Sequence, residues 1–140
     1  MSGIINSAGS RSGVIGTTEI DYEEGDFTPT SSGSTSSTWG RYVKVGNVVH
    51  VWCRWAFNAT TASATLTGLP FTSSTIQNNI GILATHSVNW TAGSTSCAGY
   101  VGAGSTTFTP LMSGDNVGWN TGFDVISGAQ AILQLTYNTA

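Results

Sequence analysis

Charged residues are scarce in this sequence of 140 residues: they make up 8% of the chain, against about a quarter of a typical globular domain. Only four residues are Lys or Arg, and the formal net charge is −3. A nucleic-acid-binding protein needs cations to displace counterions from phosphates, and binding to an anionic membrane surface needs them as well. The composition therefore argues against nucleic-acid partners and against membrane partners.

Long apolar runs and cysteines are also few. No stretch approaches about 18 consecutive apolar residues, so no transmembrane helix is predicted. The N-terminus lacks the basic region and the continuous apolar run of a secretory signal. The two cysteines, Cys53 and Cys97, are too few for a disulfide framework. Two buried free thiols are expected, and a single disulfide is the alternative.

Motifs for catalysis are missing as well. The sequence has neither a Gly-x-Ser-x-Gly elbow nor a Walker loop. His50 and Cys53 are three residues apart in a strand pattern, so they should point to opposite faces and could not share a metal ion. Glycoside hydrolysis needs two carboxylates, and Asp115 and Asp124 both lie in loop-like segments with a glycine within two residues, where a turn role is favoured. We therefore expect no enzyme, no catalytic residue, no metal and no cofactor.

Residues 1–38 differ in composition from the rest of the chain. A Gly/Ser-rich stretch is followed by an acidic cluster between Glu19 and Asp26, which holds five of the seven acids, and then by a run of Ser, Thr and Gly from Thr30 to Thr38. None of these stretches shows sustained periodicity, so residues 1–38 are predicted to form an extended attachment arm and linker outside the core. The acidic cluster lacks the spacing of an EF-hand loop, which favours a solvated linker over a calcium site.

The apolar residues of this arm are the candidates for its attachment contacts. They are Ile4, Ile5, Val14, Ile15, Tyr22 and Phe27.

From Trp39 onward the sequence alternates in the manner of β-strands. Gly46-Asn47 predicts a two-residue hairpin turn. The strand after this turn has one wholly apolar face, which is expected to face the core; it consists of Val49, Val51, Cys53, Trp55 and Phe57. Shorter strands are predicted within residues 64–71, 80–90, 97–101, 106–112, 122–127 and 131–138. The predicted fold is all-β, an antiparallel, jelly-roll-like β-sandwich over residues 39–140 preceded by the extended N-terminal arm.

Five tryptophans stand out in so polar a chain. Trp55 belongs to the expected core face, whereas Trp52 lies on the opposite face of the same strand, near Arg54. Aromatic side chains outside a core often anchor interfaces or stack against sugars. Trp39, Trp52, Arg54 and Trp119 are therefore the candidate ligand or interface residues, although a core position for the tryptophans stays open.

Several segments resemble, in the same order, those of bacteriophage tail-fibre and spike proteins, in particular of phages that infect aquatic bacteria. The first is GIINSAGSRSGVIGT at positions 3–17, and the second is DYEEGDFTP at positions 21–29, where Asp26-Phe27 stands in place of the usual Thr-Trp. The others are the hairpin GRYVKVGNVV at 40–49 and the turn GLPF at 68–71. These matches cover about the first half of the chain, and the second half is similar only in texture.

The resemblance implies a virion protein, assembled in the host cytoplasm, that forms a homotrimer with a β-sandwich tip at the distal end of a fibre. The chain shows neither a large N-terminal adaptor nor a long shaft, so it is expected to attach to other virion proteins, of tail or capsid, through its own arm. Host surface glycans are a further expected partner. A capsid decoration protein (cement or head fibre) and a carbohydrate-binding module are the alternatives.

Overall fold

The computed structural model describes residues 21–76, 78–89, 93–114, 117–120 and 123–139. Within these ranges the chain forms ten β-strands, whose bounds are β1 Tyr22–Phe27, β2 Thr30–Ser31, β3 Thr35–Val45, β4 Val48–Phe57, β5 Leu66–Thr67, β6 Asn79–Asn89, β7 Ser96–Val101, β8 Phe108–Gly114, β9 Val117–Asn120 and β10 Asp124–Asn138. The predicted all-β class is confirmed.

All the pairings are antiparallel and follow one continuous path. The order is β1-β3-β4-β10-β6-β7-β8-β5-β2, with β9 paired to β8. The strands at the two ends of this path, β1 and β2, are separated in the chain only by Thr28 and Pro29. The sheet must therefore curl until its two ends meet. A separate two-sheet sandwich or jelly roll is not confirmed.

The hairpin of β3 and β4 forms as its sequence predicts. Val45 is opposite Val48, so that Gly46 and Asn47 make the two-residue turn. Gly46 has a φ of 59°, a left-handed conformation that glycine adopts without the steric cost of a Cβ atom. The predicted apolar face of β4 is buried throughout, with exposed fractions between 0% and 2%.

The core lies on the concave side of the curled sheet. Strand β10 is inserted between β4 and β6 and contributes alternate residues to the core, all of them at most 1% exposed: Val125, Ala131, Leu133, Leu135 and Tyr137. Leu66 and Phe108 bury their side chains from the far end of the strand path, on β5 and β8. Burial of each large apolar side chain stabilises the fold by roughly 1.5–3 kcal/mol.

A tryptophan in the core links the two ends of the strand path. Trp55 of β4 is fully buried, and its indole Nε1–H donates a hydrogen bond of 2.9 Å to the backbone oxygen of Thr30 in β2. Because β2 has only two residues and pairs in register with β5 alone, this bond from the opposite side of the core fixes its position.

The second half of the expected arm is folded. Residues 22–27 form β1 and pair with β3 over their whole length, and residues 35–38 already belong to β3. The boundary expected at residue 39 therefore falls inside a strand. Backbone pairing does not require an apolar alternation in the side chains, and Lys44 adds an ion pair of 2.5 Å to Asp21. This corrects the expected linker over residues 21–38.

The expected contacts of Ile4, Ile5, Val14 and Ile15 lie outside the described residues. The two aromatic residues assigned to the arm are both in β1, but in different environments. Tyr22 is 59% exposed and donates a hydrogen bond of 2.9 Å to Glu24. Phe27 is half-buried, packs against the core and stands 6.4 Å from Tyr42, between ring centroids.

Candidate binding face

The convex side of the sheet, which we call the outer face, bears the side chains that alternate with those of the core. In antiparallel strands, residues directly opposite each other share a face. One continuous row crosses six strands in register, from β3 to β8, and runs Arg41, Trp52, Gln134, Ile82, Ala98 and Leu111. The outer face is therefore a broad surface whose character changes from aromatic at β3 and β4 to aliphatic at β6 to β8.

Three exposed isoleucines form the centre of the outer face, and we call them the isoleucine patch. Ile80 and Ile82 of β6 are 79% and 72% exposed, and Ile132 of β10 is 50% exposed. The inward positions of β6 are filled by Gly81 and by Leu83, which is only 4% exposed. Strand β6 is thus apolar on both faces, and only one of them contacts the core.

A groove of about 610 Å³ continues the isoleucine patch across β7 and β8. Its walls are formed by Asn78, Ile80, Ala98, Gly99, Tyr100, Leu111 and Ser113. None of these side chains is charged. The patch and the groove together make a neutral, mainly apolar surface.

Two tryptophans and an arginine occupy the other end of the outer face. This aromatic end comprises Trp39 on β3 with Trp52 and Arg54 on β4. Trp39 is 53% exposed and Trp52 is 37% exposed. Trp39 stands directly opposite Arg54, and on the other side of Arg54 stands Ile132. The register therefore brings together three of the four predicted ligand or interface residues.

Arg54 has no acidic partner in the part of the chain that the structure describes, where the one ion pair joins Lys44 to Asp21. Its Nε atom is buried and makes no hydrogen bond to any described residue. A guanidinium group is charged at all ordinary pH values and normally satisfies its donors. Arg54 is therefore a cation without an acidic partner among the described residues, beside an exposed indole.

Trp52 is held in place by a short polar network. The rings of His50 and Trp52 meet edge to face, with centroids 4.2 Å apart and an interplanar angle of 75°. His50 Nδ1 is 2.5 Å from the hydroxyl of Thr136, and the amide Nε2 of Gln134 is 3.5 Å from His50 Nε2. Since the amide nitrogen can only donate, we assign the imidazole proton to Nδ1, which donates to Thr136.

The remaining predicted site residue is not brought into this cluster. Trp119 lies on β9, which pairs with β8 at the opposite end of the outer strands.

The isoleucine patch was missed from the sequence, although a signal for it exists. Ile80, Ile82 and Leu83 make β6 apolar at both odd and even positions, and such a strand must either be covered on both faces or expose one of them.

The polar groups considered for chemistry are dispersed. Asp124 is the first residue of β10 and not a turn residue as predicted; its carboxylate accepts a hydrogen bond of 2.8 Å from the backbone N–H of Ser63. Asp115 lies outside the described residues. Among the residues described, no three or more His, Cys, Asp or Glu side chains gather into a group that could hold a metal ion.

Both cysteines are free thiols, as expected from the sequence, and the alternative of a single disulfide is not observed. Cys53 is buried, and burial raises the pKa of its thiol to about 12. Cys97 is only half-buried, so the expectation of two buried thiols is met by Cys53 alone.

Comparisons of the whole chain with protein-family models, with curated proteins and with solved structures found no significant match. In the described ranges, no helix is long and apolar enough to cross a membrane.

Proposed function

We propose that this chain is a non-enzymatic structural subunit of a bacteriophage virion, a fibre or spike tip that contributes to attachment to the host surface. The order of its N-terminal segments supports the virion assignment, because they resemble those of phage fibre and spike proteins. In the proposal the protein is assembled in the host cytoplasm, and residues 1–20 contact other proteins of the tail or capsid. In this proposal the curled sheet forms the tip, in place of the β-sandwich expected from the sequence.

The observation that carries the structural role is the isoleucine patch. Ile80 and Ile82 are alternate residues of β6, and Ile132 of the neighbouring β10 is the diagonal neighbour of Ile82, with between 50% and 79% of each residue exposed. Single exposed apolar residues are ordinary, but a contiguous apolar patch beside a groove is typical of an interaction surface. A closed homotrimer would bury this patch against sister copies.

The trimer is tested by the mass of the purified chain in solution, measured by light scattering. We expect three copies for the wild type and one copy for Ile82→Lys, because a lysine at the centre of the interface would bury an unpaired charge. Ile76→Lys is the matched control. Ile76 is 88% exposed and lies outside the sheet, between β5 and β6, so that variant should keep the wild-type mass. A monomeric wild type would overturn the trimer.

The virion role is tested on the particle. An antibody against the chain, visualised by electron microscopy, should label a phage that encodes it, and deletion of residues 1–20 should abolish incorporation while the isolated protein keeps its mass. Label at the distal end of a fibre supports the attachment role. Many copies on the capsid would instead support decoration. Unlabelled particles would contradict both.

A carbohydrate-binding role is the second candidate, and the aromatic end favours it. Trp39 and Trp52 are exposed next to an unpaired cation, whereas an enzyme acting on polysaccharides needs two carboxylates at one cleft. Hydrolysis of host polysaccharide that is lost in Asp124→Ala would overturn the non-enzymatic assignment.

A further inference from the structure

The aromatic end has a geometry that association through the isoleucine patch does not use. Trp39 is opposite Arg54, and Arg41 is opposite Trp52. The four residues therefore occupy the corners of one square on the outer face, with the two indoles on a diagonal. Diagonal neighbours on adjacent strands lie roughly 7–8 Å apart at their Cα atoms. Two exposed indoles at this spacing form a stacking platform across β3 and β4.

The two arginines of this square are not equivalent. Arg41 faces Asp26 across the β1–β3 pairing, and its charge acts on the hydroxyl of Tyr22. Arg54 instead has neutral neighbours in register, Trp39 on one side and Ile132 on the other. With no acidic side chain paired to it among the described residues, Arg54 is the cation of this square whose charge an incoming anion could neutralise through the terminal guanidinium nitrogens.

The polar groups beside Trp52 are fixed before any ligand arrives. His50 supports the indole edge to face, and Thr136 holds His50. Gln134 lies directly opposite Trp52 on β10 and is exposed, so that its amide can both donate and accept at the rim of the indole. A site whose side chains are already ordered loses less entropy when it binds.

We propose that the aromatic end binds an acidic saccharide, with a sugar ring stacked on Trp52 and the carboxylate of a uronic acid paired with Arg54. The apolar face of a pyranose suits an indole surface, and a guanidinium binds a carboxylate through two parallel hydrogen bonds. The amide of Gln134 then meets ring hydroxyls, and Trp39 extends the platform to the next sugar. The inference rests on the proposed attachment role and names the class of its ligand.

The test is calorimetric titration of the full chain with two probes that have the same sugar chain, oligogalacturonate and its uncharged methyl ester. We expect the acid form to bind at least about tenfold more tightly than the ester, because only the acid makes charge-assisted hydrogen bonds to Arg54. Trp52→Ala and Arg54→Gln should each weaken binding of the acid form by about tenfold or more. Arg41→Gln removes the same charge from a neighbouring position and is the matched control, with a change below about threefold.

Three titration results would overturn the site: binding of neither probe, equal binding of both, or an Arg41→Gln effect as large as that of Arg54→Gln, which would indicate general electrostatic attraction. A change of mass in Trp52→Ala would also overturn it, because Trp52 would then belong to the contact between copies. A monomeric wild type that still binds oligogalacturonate would contradict the trimer and leave the saccharide site standing.

Discussion

The hydroxyl of Tyr137 makes two hydrogen bonds to the backbone of Phe71: it donates to the carbonyl oxygen at 3.0 Å and accepts from the N–H at 3.2 Å. Tyr137 belongs to the central strand β10 and is only 1% exposed. Phe71 follows the Gly68-Leu69-Pro70 turn, which lies outside the ten strands and in which the N–H of Leu69 donates to the backbone oxygen of Thr106 at 3.2 Å. The phenol of Tyr137 adds two hydrogen bonds directly after the turn and so holds this segment against the core.

Removal of this hydroxyl should destabilise the fold. We expect Tyr137→Phe to lower the free energy of unfolding by about 1–3 kcal/mol, because it leaves two partly buried backbone groups without a partner. Urea denaturation followed by tryptophan fluorescence measures the change. Tyr22→Phe also removes a phenol hydrogen bond, but an exposed one, and should change the stability by less than about 0.5 kcal/mol. Equal effects of the two variants would contradict the role of Tyr137.

The hydrogen bond from Trp55 to Thr30 leads to a second prediction. Trp55→Phe keeps an aromatic ring in the core but removes the indole donor and some volume, so we expect a loss of about 2–4 kcal/mol. The exposed Trp39→Phe should cost under about 0.5 kcal/mol. Hydrogen exchange of the amides around β2 and β5 should rise selectively in Trp55→Phe. An increase spread evenly over all ten strands would argue that Trp55 does not hold the short strands specifically.

Gly99 on β7 tolerates no side chain. A Cβ atom at this position would lie 2.4 Å from the ring of Phe108 and 2.5 Å from the backbone oxygen of Thr109. We expect Gly99→Ala to lower stability by about 1–3 kcal/mol through overpacking. Gly102→Ala is the matched control, because its Cβ would have only ordinary contacts, the nearest at 3.8 Å from Tyr100. Thermal unfolding of both variants measures the loss of stability. A Gly99→Ala variant as stable as the wild type would contradict the prediction, because β7 and β8 could then move apart without loss of stability.

The buried thiol of Cys53 predicts a loss of stability in alkaline solution. Its pKa rises from 9.0 to about 12 on folding because the ionised form is desolvated. The stabilisation is fully present below pH 9, where the unfolded thiol is still protonated, and is lost as the pH rises towards 12. Each pH unit in that window costs at most about 1.4 kcal/mol for this group.

The slope of unfolding free energy against pH, measured under reducing conditions between about pH 9 and pH 10.5, should therefore be shallower in Cys53→Ala. Burial also raises the pKa of Cys97, but that residue is only half-buried, so Cys97→Ala should flatten the slope less. Identical slopes in the wild type and in Cys53→Ala would refute the assignment of the alkaline loss to Cys53.

The sequence predicts best where side-chain alternation and turn chemistry agree. The strands on either side of Gly46-Asn47 are the clearest case, because the turn fixes the register and one face of β4 is wholly apolar. The same holds for β10, whose inward residues Leu133, Leu135 and Tyr137 alternate with polar ones. Such segments leave a single arrangement that buries the apolar side and exposes the other.

Sequence-based prediction fails for strands that are held in the sheet by backbone hydrogen bonds and whose side chains show no apolar alternation. Strand β1 has acids at three of its six positions, and β2 is a Thr-Ser pair, so neither has an apolar face from which a strand could be recognised. Their place in the sheet depends on partners at a distance in the chain, β3 for the one and β5 for the other. Local composition cannot report such pairings.

The candidate site also has residues that the sequence could place and residues that it could not. The alternation of β4 puts Trp52 and Arg54 on the face opposite the core, but it does not decide whether Trp39 is exposed. Their closeness to Ile132 depends on β10 lying beside β4, which is a property of the strand order. The sequence of β6 signals that one apolar face is exposed or covered by a partner, but it cannot tell which of the two faces points outward, because both offer apolar residues.

The position of β10 has a consequence for how the chain acquires its structure during synthesis. The strand made last fills the gap between β4 and β6, and it carries much of the core. Neither half of the sheet can close while residues 124–138 are still inside the ribosome, and folding must then form many contacts between distant parts of the chain, which is slow. A nascent chain interrupted before this point would keep the apolar faces of β4 and β6 in water, and it would be a substrate for chaperones and proteases.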